Sequence, residues 1–158
     1  MLKRLTVSLC LLALTLSAAA QTKKSPMKKA AGPAPDKAYM QKIWDGWSSL
    51  DTASVARYYA TGPHVFFDIA PLKYNSWDEY VAGVKNLAAG YKSAKFTVND
   101  DAAIHPHGDL AWGTATVNFE MTTKAGKVEM GAFRWTVVWE NQDGKWLTVH
   151  EHVSEPVQ

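Results

Sequence analysis

Residues 36–50 bring Tyr39, Ile43, Trp44, Trp47 and Leu50 onto one side at three- and four-residue intervals, with Lys37, Gln41, Lys42 and Asp45 between them. That spacing predicts an amphipathic helix. Asp51 or Thr52 offers a side-chain acceptor to cap a second, short helix over TASVARYYA, which Gly62-Pro63 ends. HVFFD, residues 64–68, is a β-rich burst closing on an acid. Ser76-Trp77-Asp78-Glu79 has the form of a capping box and opens a third helix to about Lys92. Its stripe is Trp77, Tyr80, Val81, Val84 and Leu87. Beyond Lys92 the hydrophobic period changes to two. KFTVND, DLAWGTATVNFEMTT, VEMGAFRWTVVWE and KWLTVHEHVS read as strands. They are separated by His107-Gly108-Asp109, Lys124-Ala125-Gly126-Lys127 and Gln142-Asp143-Gly144, which suit hairpin turns. The order predicts an α+β fold: three N-terminal helices packed on a curved antiparallel sheet, a four-strand meander bent into a cone-shaped barrel.

The chain before this domain has a different character. Residues 1–20 carry Lys3 and Arg4, the apolar run Leu5–Leu16 and then Ala18-Ala19-Ala20. This is the pattern of a signal peptide and predicts export, periplasmic or secreted, with cleavage before Gln21. The apolar run is too short for a ~30 Å hydrocarbon core, so no stable membrane insertion is expected after cleavage. The single Cys10 lies in that run. The processed chain would then lack disulfides, thiol nucleophiles and Cys-ligated zinc. Residues 21–35, QTKKSPMKKAAGPAP, read as a flexible Lys/Pro-rich linker. The domain proper spans 36–156. The whole chain has a formal charge of +2, but residues 36–158 hold 11 basic against 15 acidic residues, a net −4. A mildly acidic domain argues against nucleic acid as a partner.

A bent sheet roofed by helices encloses a hollow, and the aromatic inventory suits lining one. Trp44, Trp47, Tyr58, Phe66, Trp77, Tyr80, Trp112, Trp135 and Trp139 are available, although any single one can equally be plain core. The ligand implied is a small apolar or carboxylate-bearing molecule. Asp68 follows Val65-Phe66-Phe67 and is placed near the wall of the hollow, where desolvation would raise its pKa into the range of a general base. Arg134 and Thr136 share one strand face, and Trp135 and Val137 the other. An Arg in the hollow would bind a carboxylate; otherwise it pairs across the sheet with Glu120 or Glu129. His150 and His152 share a face and Glu151 takes the opposite one, and a bulge would swap which of them points inward. The two His residues suit an interface, a polar pocket lining or, with His64, His105 or His107 as a third ligand, a metal. No zincin spacing, phosphate loop, dinucleotide fingerprint or G-x-S-x-G elbow occurs, so neither metal nor cofactor is expected.

The C-terminal strings are the most distinctive: Phe133-Arg134-Trp135-Thr136, Trp139, Asp143-Gly144-Lys145-Trp146, and Val149-His150-Glu151-His152-Val153-Ser154. With the first helix ending at Ser49-Leu50-Asp51 and the capped Ser76-Trp77 helix, the chain resembles the SnoaL-like, nuclear-transport-factor-2-like superfamily across residues 36–156. The resemblance implies the cone fold and a homodimer built on the convex sheet face. It leaves activity open, because the superfamily hosts isomerases, hydrolases, cyclases and assembly modules. Asp68 falls near the proton-shuttling aspartate of ketosteroid isomerase-like members. The tyrosine of that group falls near Ile43, with Tyr39 one turn earlier, and its second acidic donor falls near Thr136. Tyr58, Tyr59 or Tyr80 remain as substitute donors. Three functions follow as expectations: a ligand-binding domain with Asp68, Thr136 and His150 as polar contacts, an isomerase or lyase with Asp68 as base, and a homodimeric assembly module.

Overall fold

The computed structural model describes residues 32–69 and 71–157. The expected leader and most of the linker lie outside the described residues.

Helix α1 spans Lys37–Ser48, and the Asp36 carboxylate starts it by accepting from the Tyr39 N–H at 2.7 Å. Its buried face is Met40, Ile43, Trp44, Gly46 and Trp47. The second helical segment is shorter than its pattern suggests. It consists of two 3-10 turns, Thr52–Ser54 and Ala56–Tyr58, the first capped by Asp51 through Ala53 N–H at 2.9 Å. Strand β1 is only Phe66–Phe67. Helix α2, Trp77–Ala88, opens on the expected capping box: Ser76 Oγ accepts from Glu79 N–H at 3.2 Å, and Glu79 Oε2 reaches back to Asn75 N–H at 2.7 Å. It stops four residues before Lys92, because Tyr91 and Lys92 already belong to a strand.

The sheet consists of β2 (Tyr91–Val98), β3 (Ala103–His107), β4 (Leu110–Thr123), β5 (Val128–Gln142) and β6 (Lys145–Ser154), with β1 at one edge. The order is β1-β6-β5-β4-β2, and β3 pairs with the first half of β4 beside β2. Two features depart from a plain antiparallel meander. Strand β3 was hidden by Pro106, a residue tolerated only at sheet edges. Strand β1 joins β6 in parallel, Phe66 opposite Glu151 and Phe67 opposite His152, so the sheet is mixed and does not close. The β5–β6 turn places Asp143 and Gly144 at φ 53° and 86°, the left-handed pair that a two-residue hairpin requires.

Alternation assigns the faces. Ala111, Gly113, Ala115 and Val117 of β4 and Phe133, Trp135, Val137 and Trp139 of β5 point inward. In β6 the inward set changes parity. Trp146 and Thr148 are buried, and so are Glu151 and Val153. The cause is a bulge: Trp139 pairs with Thr148 and Val138 with His150, leaving Val149 as the extra residue. The bulge resolves the facing of the last strand. Glu151 turns inward and His150 and His152 turn outward.

Helix α1 also caps the free edge of β2. Gln41 Nε2 donates to Phe96 O at 3.0 Å, Gln41 Oε1 accepts from Val98 N–H at 2.8 Å, and Ser48 Oγ accepts from Phe96 N–H at 3.2 Å. A strand edge covered in this way offers no template for another chain. Gln41→Ala strips two of these bonds and should cost about 1–2 kcal/mol of unfolding free energy, read by urea denaturation.

Candidate functional site

The helices meet the sheet through an aromatic cluster. Tyr59 stacks on Trp77 at 4.6 Å and Phe66 on Tyr80 at 5.1 Å, while Trp47 meets Tyr59 and Tyr80 edge-on. This cluster holds α2 over the concave side of the sheet and leaves a cavity of about 310 Å³ beside it. Trp44 and Trp47 of α1, Tyr80 and Val84 of α2, Phe119 of β4 and Phe133 of β5 wall it, with Asp68 and Tyr74 entering from the loop after β1. Ile69, Leu87 and Glu155 are exposed and lie at its mouth with Glu129. Tyr74 reaches the wall only because residue 83 is glycine: a Cβ there would sit 2.2 Å from the Tyr74 hydroxyl. Among the described residues, no Lys, Arg or His lines the cavity.

One layer behind the wall is Glu151, 1% exposed. Tyr59 Oη donates to its two oxygens at 3.0 Å each and Trp135 Nε1 donates at 2.9 Å, while the nearby Tyr80 hydroxyl also favours its charged form. Trp47 Nε1 in turn donates to Tyr59 Oη at 3.0 Å. A buried carboxylate is costly, and these donors offset only part of the cost. Burial pushes the Glu151 pKa up to about 7, the donors oppose it, and the neighbouring charge of Asp68 adds to the rise. Burial and the Glu151 charge hold Tyr59 and Tyr80 well above the ordinary phenol range, so both stay protonated donors. Burial likewise raises Asp68, opposed by the Ile69 N–H that its Oδ1 accepts at 2.8 Å. The arrangement is therefore a mostly apolar cavity with one perturbed carboxylate on its wall and a second behind it.

The expected site residues divide into three groups. Asp68, Trp47 and Tyr80 do line the cavity, as does Trp44. Phe66, Trp77 and Trp135 are buried but belong to the packing behind it; Trp135 serves as a donor to Glu151. The remaining five lie elsewhere, and their expected pocket positions are corrected. Tyr58 packs edge-on against Tyr39 at 5.6 Å, with Arg57 4.9 Å from its ring centre, and takes no part in lining the cavity. Trp112 alternates with the inward Ala111 and Gly113, points outward at 46% exposure, and carries His105 stacked at 4.0 Å. Arg134 and Thr136 are exposed on the outer face, where Arg134 donates to Glu155 O at 2.7 Å, so the Arg134 guanidinium does not enter the cavity. His150 is outward beyond the bulge, its Nδ1 2.7 Å from Val65 O and its ring beside Phe67. No group of three or more His, Cys, Asp or Glu among the described residues could hold a metal.

The sequence profile of the SnoaL-like domain family matches residues 37–158. No curated protein sequence matches the chain. Solved structures do resemble it. A nuclear transport factor 2-like superfamily protein from Salmonella enterica serovar Typhimurium superposes with TM-score 0.70 at 16% identity, covering 77% of this chain and 89% of the other. The association domain of CaMKII from C. elegans gives 0.58 at 19%, covering 73% and 89%. A proposed scytalone dehydratase from Novosphingobium aromaticivorans gives 0.67 at 8%, covering 75% and 79%. At these identities the likeness concerns the fold.

Glu151 also makes stability depend on pH. Its folded pKa lies above its unfolded value, so its ionisation favours the unfolded chain. The contribution is flat below about pH 4.5, falls through about pH 7 and is flat beyond, a difference of about 3 kcal/mol. Glu151→Gln should flatten that decline. Urea denaturation of both proteins at pH 5, 6, 7 and 8 measures it.

Proposed function

This chain belongs to the SnoaL-like domain family, and on that premise we propose that it is an exported receptor for a small, largely apolar molecule held in the cavity beside α2. The observation that carries the proposal is the cavity itself: about 310 Å³, walled mainly by aromatic and aliphatic side chains, with a lone internal carboxylate to orient what enters. The export half rests on the charged, apolar and small-residue order of residues 1–20. Trp44 and Trp47 on the wall make ligand entry visible in intrinsic fluorescence. Apolar probes should shift the emission, and Val84→Phe, which fills the cavity from α2, should weaken them at least tenfold while the domain stays folded. An unchanged spectrum across such probes overturns the proposal.

A second reading is favoured by the placement of Asp68. Its carboxylate lies on the wall with raised basicity, and the hydroxyl-bearing Tyr74 and Tyr80 line the same space. Asp68 would take a proton from a carbon beside a carbonyl, and a tyrosine O–H would support the developing oxyanion. The proposed scytalone dehydratase among the structural relatives is consistent with such chemistry. On this reading Asp68→Asn keeps ligand affinity within a few-fold and lowers turnover of enone or β-hydroxyketone substrates by roughly 10²–10⁴. Loss of affinity with turnover intact contradicts it. A homodimer through the outer face is supported by the exposure of Leu110, Trp112 and Met130, and sedimentation of the chain reports it.

A further inference from the structure

We infer that the cavity selects organic cations: an ammonium group, best a quaternary or tertiary one, carried on a compact apolar body. The inference deepens the receptor reading and rests on it. Its basis is the sign of the charges and ring quadrupoles that line the cavity. The walls present the rings of Trp44, Trp47, Tyr74, Tyr80 and Phe119, whose faces carry the negative lobe of the aromatic quadrupole. A cation within about 6 Å of such a face gains ~0.5–2 kcal/mol, more when desolvated.

The charged groups point the same way. Asp68 lies on the inner wall, and its only hydrogen bond among the described residues is the adjacent Ile69 N–H. No ion pair within the described residues neutralises it. Glu151 sits behind Tyr80 and Tyr59 and adds negative potential through them in its ionised form. Glu129 and Glu155 stand at the mouth. Glu129 is shared with Lys127 at 2.8 Å and with the Tyr91 hydroxyl at 2.9 Å, so it is the weaker of the two as an attractor. Among the described residues no cationic side chain lines the cavity, and Arg134 projects from the outer sheet face, where it donates to the Glu155 backbone carbonyl. An anionic ligand would thus meet two carboxylates at the mouth and one inside. A weakly hydrated ammonium would lose little solvation, meet a lining rich in aromatic rings and approach Asp68 as counter-ion.

The test uses a pair of probes equal in shape and different in charge. Phenyltrimethylammonium and tert-butylbenzene are titrated into the full chain at low ionic strength, with tryptophan emission as the readout and 4-tert-butylbenzoate as the anionic control. The cation should bind at least tenfold more tightly than tert-butylbenzene, and the benzoate should be the weakest. In Asp68→Asn the ratio of cation to tert-butylbenzene affinity, both measured in that variant, should fall most of the way to one. The wild-type ratio stands without the variant should Asp68→Asn fail to fold. Equal binding of the two isosteres, or preference for the neutral or anionic probe, overturns the cation inference and leaves the apolar receptor intact. If none of the three binds, the receptor reading fails and the inference fails with it.

Discussion

One backbone irregularity decides the interior of this domain. Val149 is an extra residue in β6, and it moves the inward positions from the even-numbered Trp146 and Thr148 to the odd-numbered Glu151 and Val153. Without it, His150 and His152 would face the helices and Glu151 would face solvent. With it, a carboxylate is drawn into an aromatic interior and must be satisfied there. Tyr59 and Trp135 supply the hydrogen bonds and the Tyr80 hydroxyl lies close by, and each comes from a different element: the second 3-10 turn's cap, β5 and α2. The carboxylate therefore ties the roof to the floor at one point. Such polar ties specify geometry more than they add stability, since desolvation consumes most of what the bonds return.

The cavity is a consequence of that tie. Tyr80 and Tyr59 are fixed by Glu151 on one side and by Phe66 and Trp77 stacking on the other. They fix the first half of α2 near the sheet, while its second half, Gly83 to Ala88, stands over open space. Asp68 emerges from the end of β1, which is itself held by parallel pairing to Glu151 and His152. The buried acid and the cavity acid are thus positioned by the same two strands, close enough that Asp68 raises the proton affinity of Glu151. Chemistry and recognition in the cavity share this electrostatic frame: negative, aromatic and, among the described residues, without a compensating cation on its walls.

Much of this could be seen in the residues. The Ser76–Glu79 capping box, the change from helical to alternating period, and the exact extent of KWLTVHEHVS follow from local rules and survive in the structure. The alternation of β4 assigns Trp112 to the series Thr114, Thr116, Asn118, Glu120, a polar face, so parity alone places it outward against the general tendency of tryptophan to be buried. Arg134 and Thr136 were likewise separated from Trp135 by parity. What the residues could not reveal is long-range. The parallel docking of β1 on β6 joins residues more than eighty apart, and nothing in HVFFD specifies a partner. The Val149 bulge has no side-chain signature. Tyr74 and Phe119 entered the cavity wall from segments whose patterns spoke only of a loop and a strand. Pro106 argued against β3, and the edge position of that strand is what permits it.

The decisive measurement is the titration of the Glu151 carboxyl itself. Carbon-13 spectra of glutamate-labelled chain, with Glu151→Gln to assign the resonance, follow its protonation directly. An inward, hydrogen-bonded Glu151 titrates with a midpoint near 7, well apart from the solvent-exposed glutamates. A Glu151 resonance that titrates with those exposed groups would place the side chain in water and contradict the bulge, the tie between roof and sheet, and the electrostatic frame built upon them.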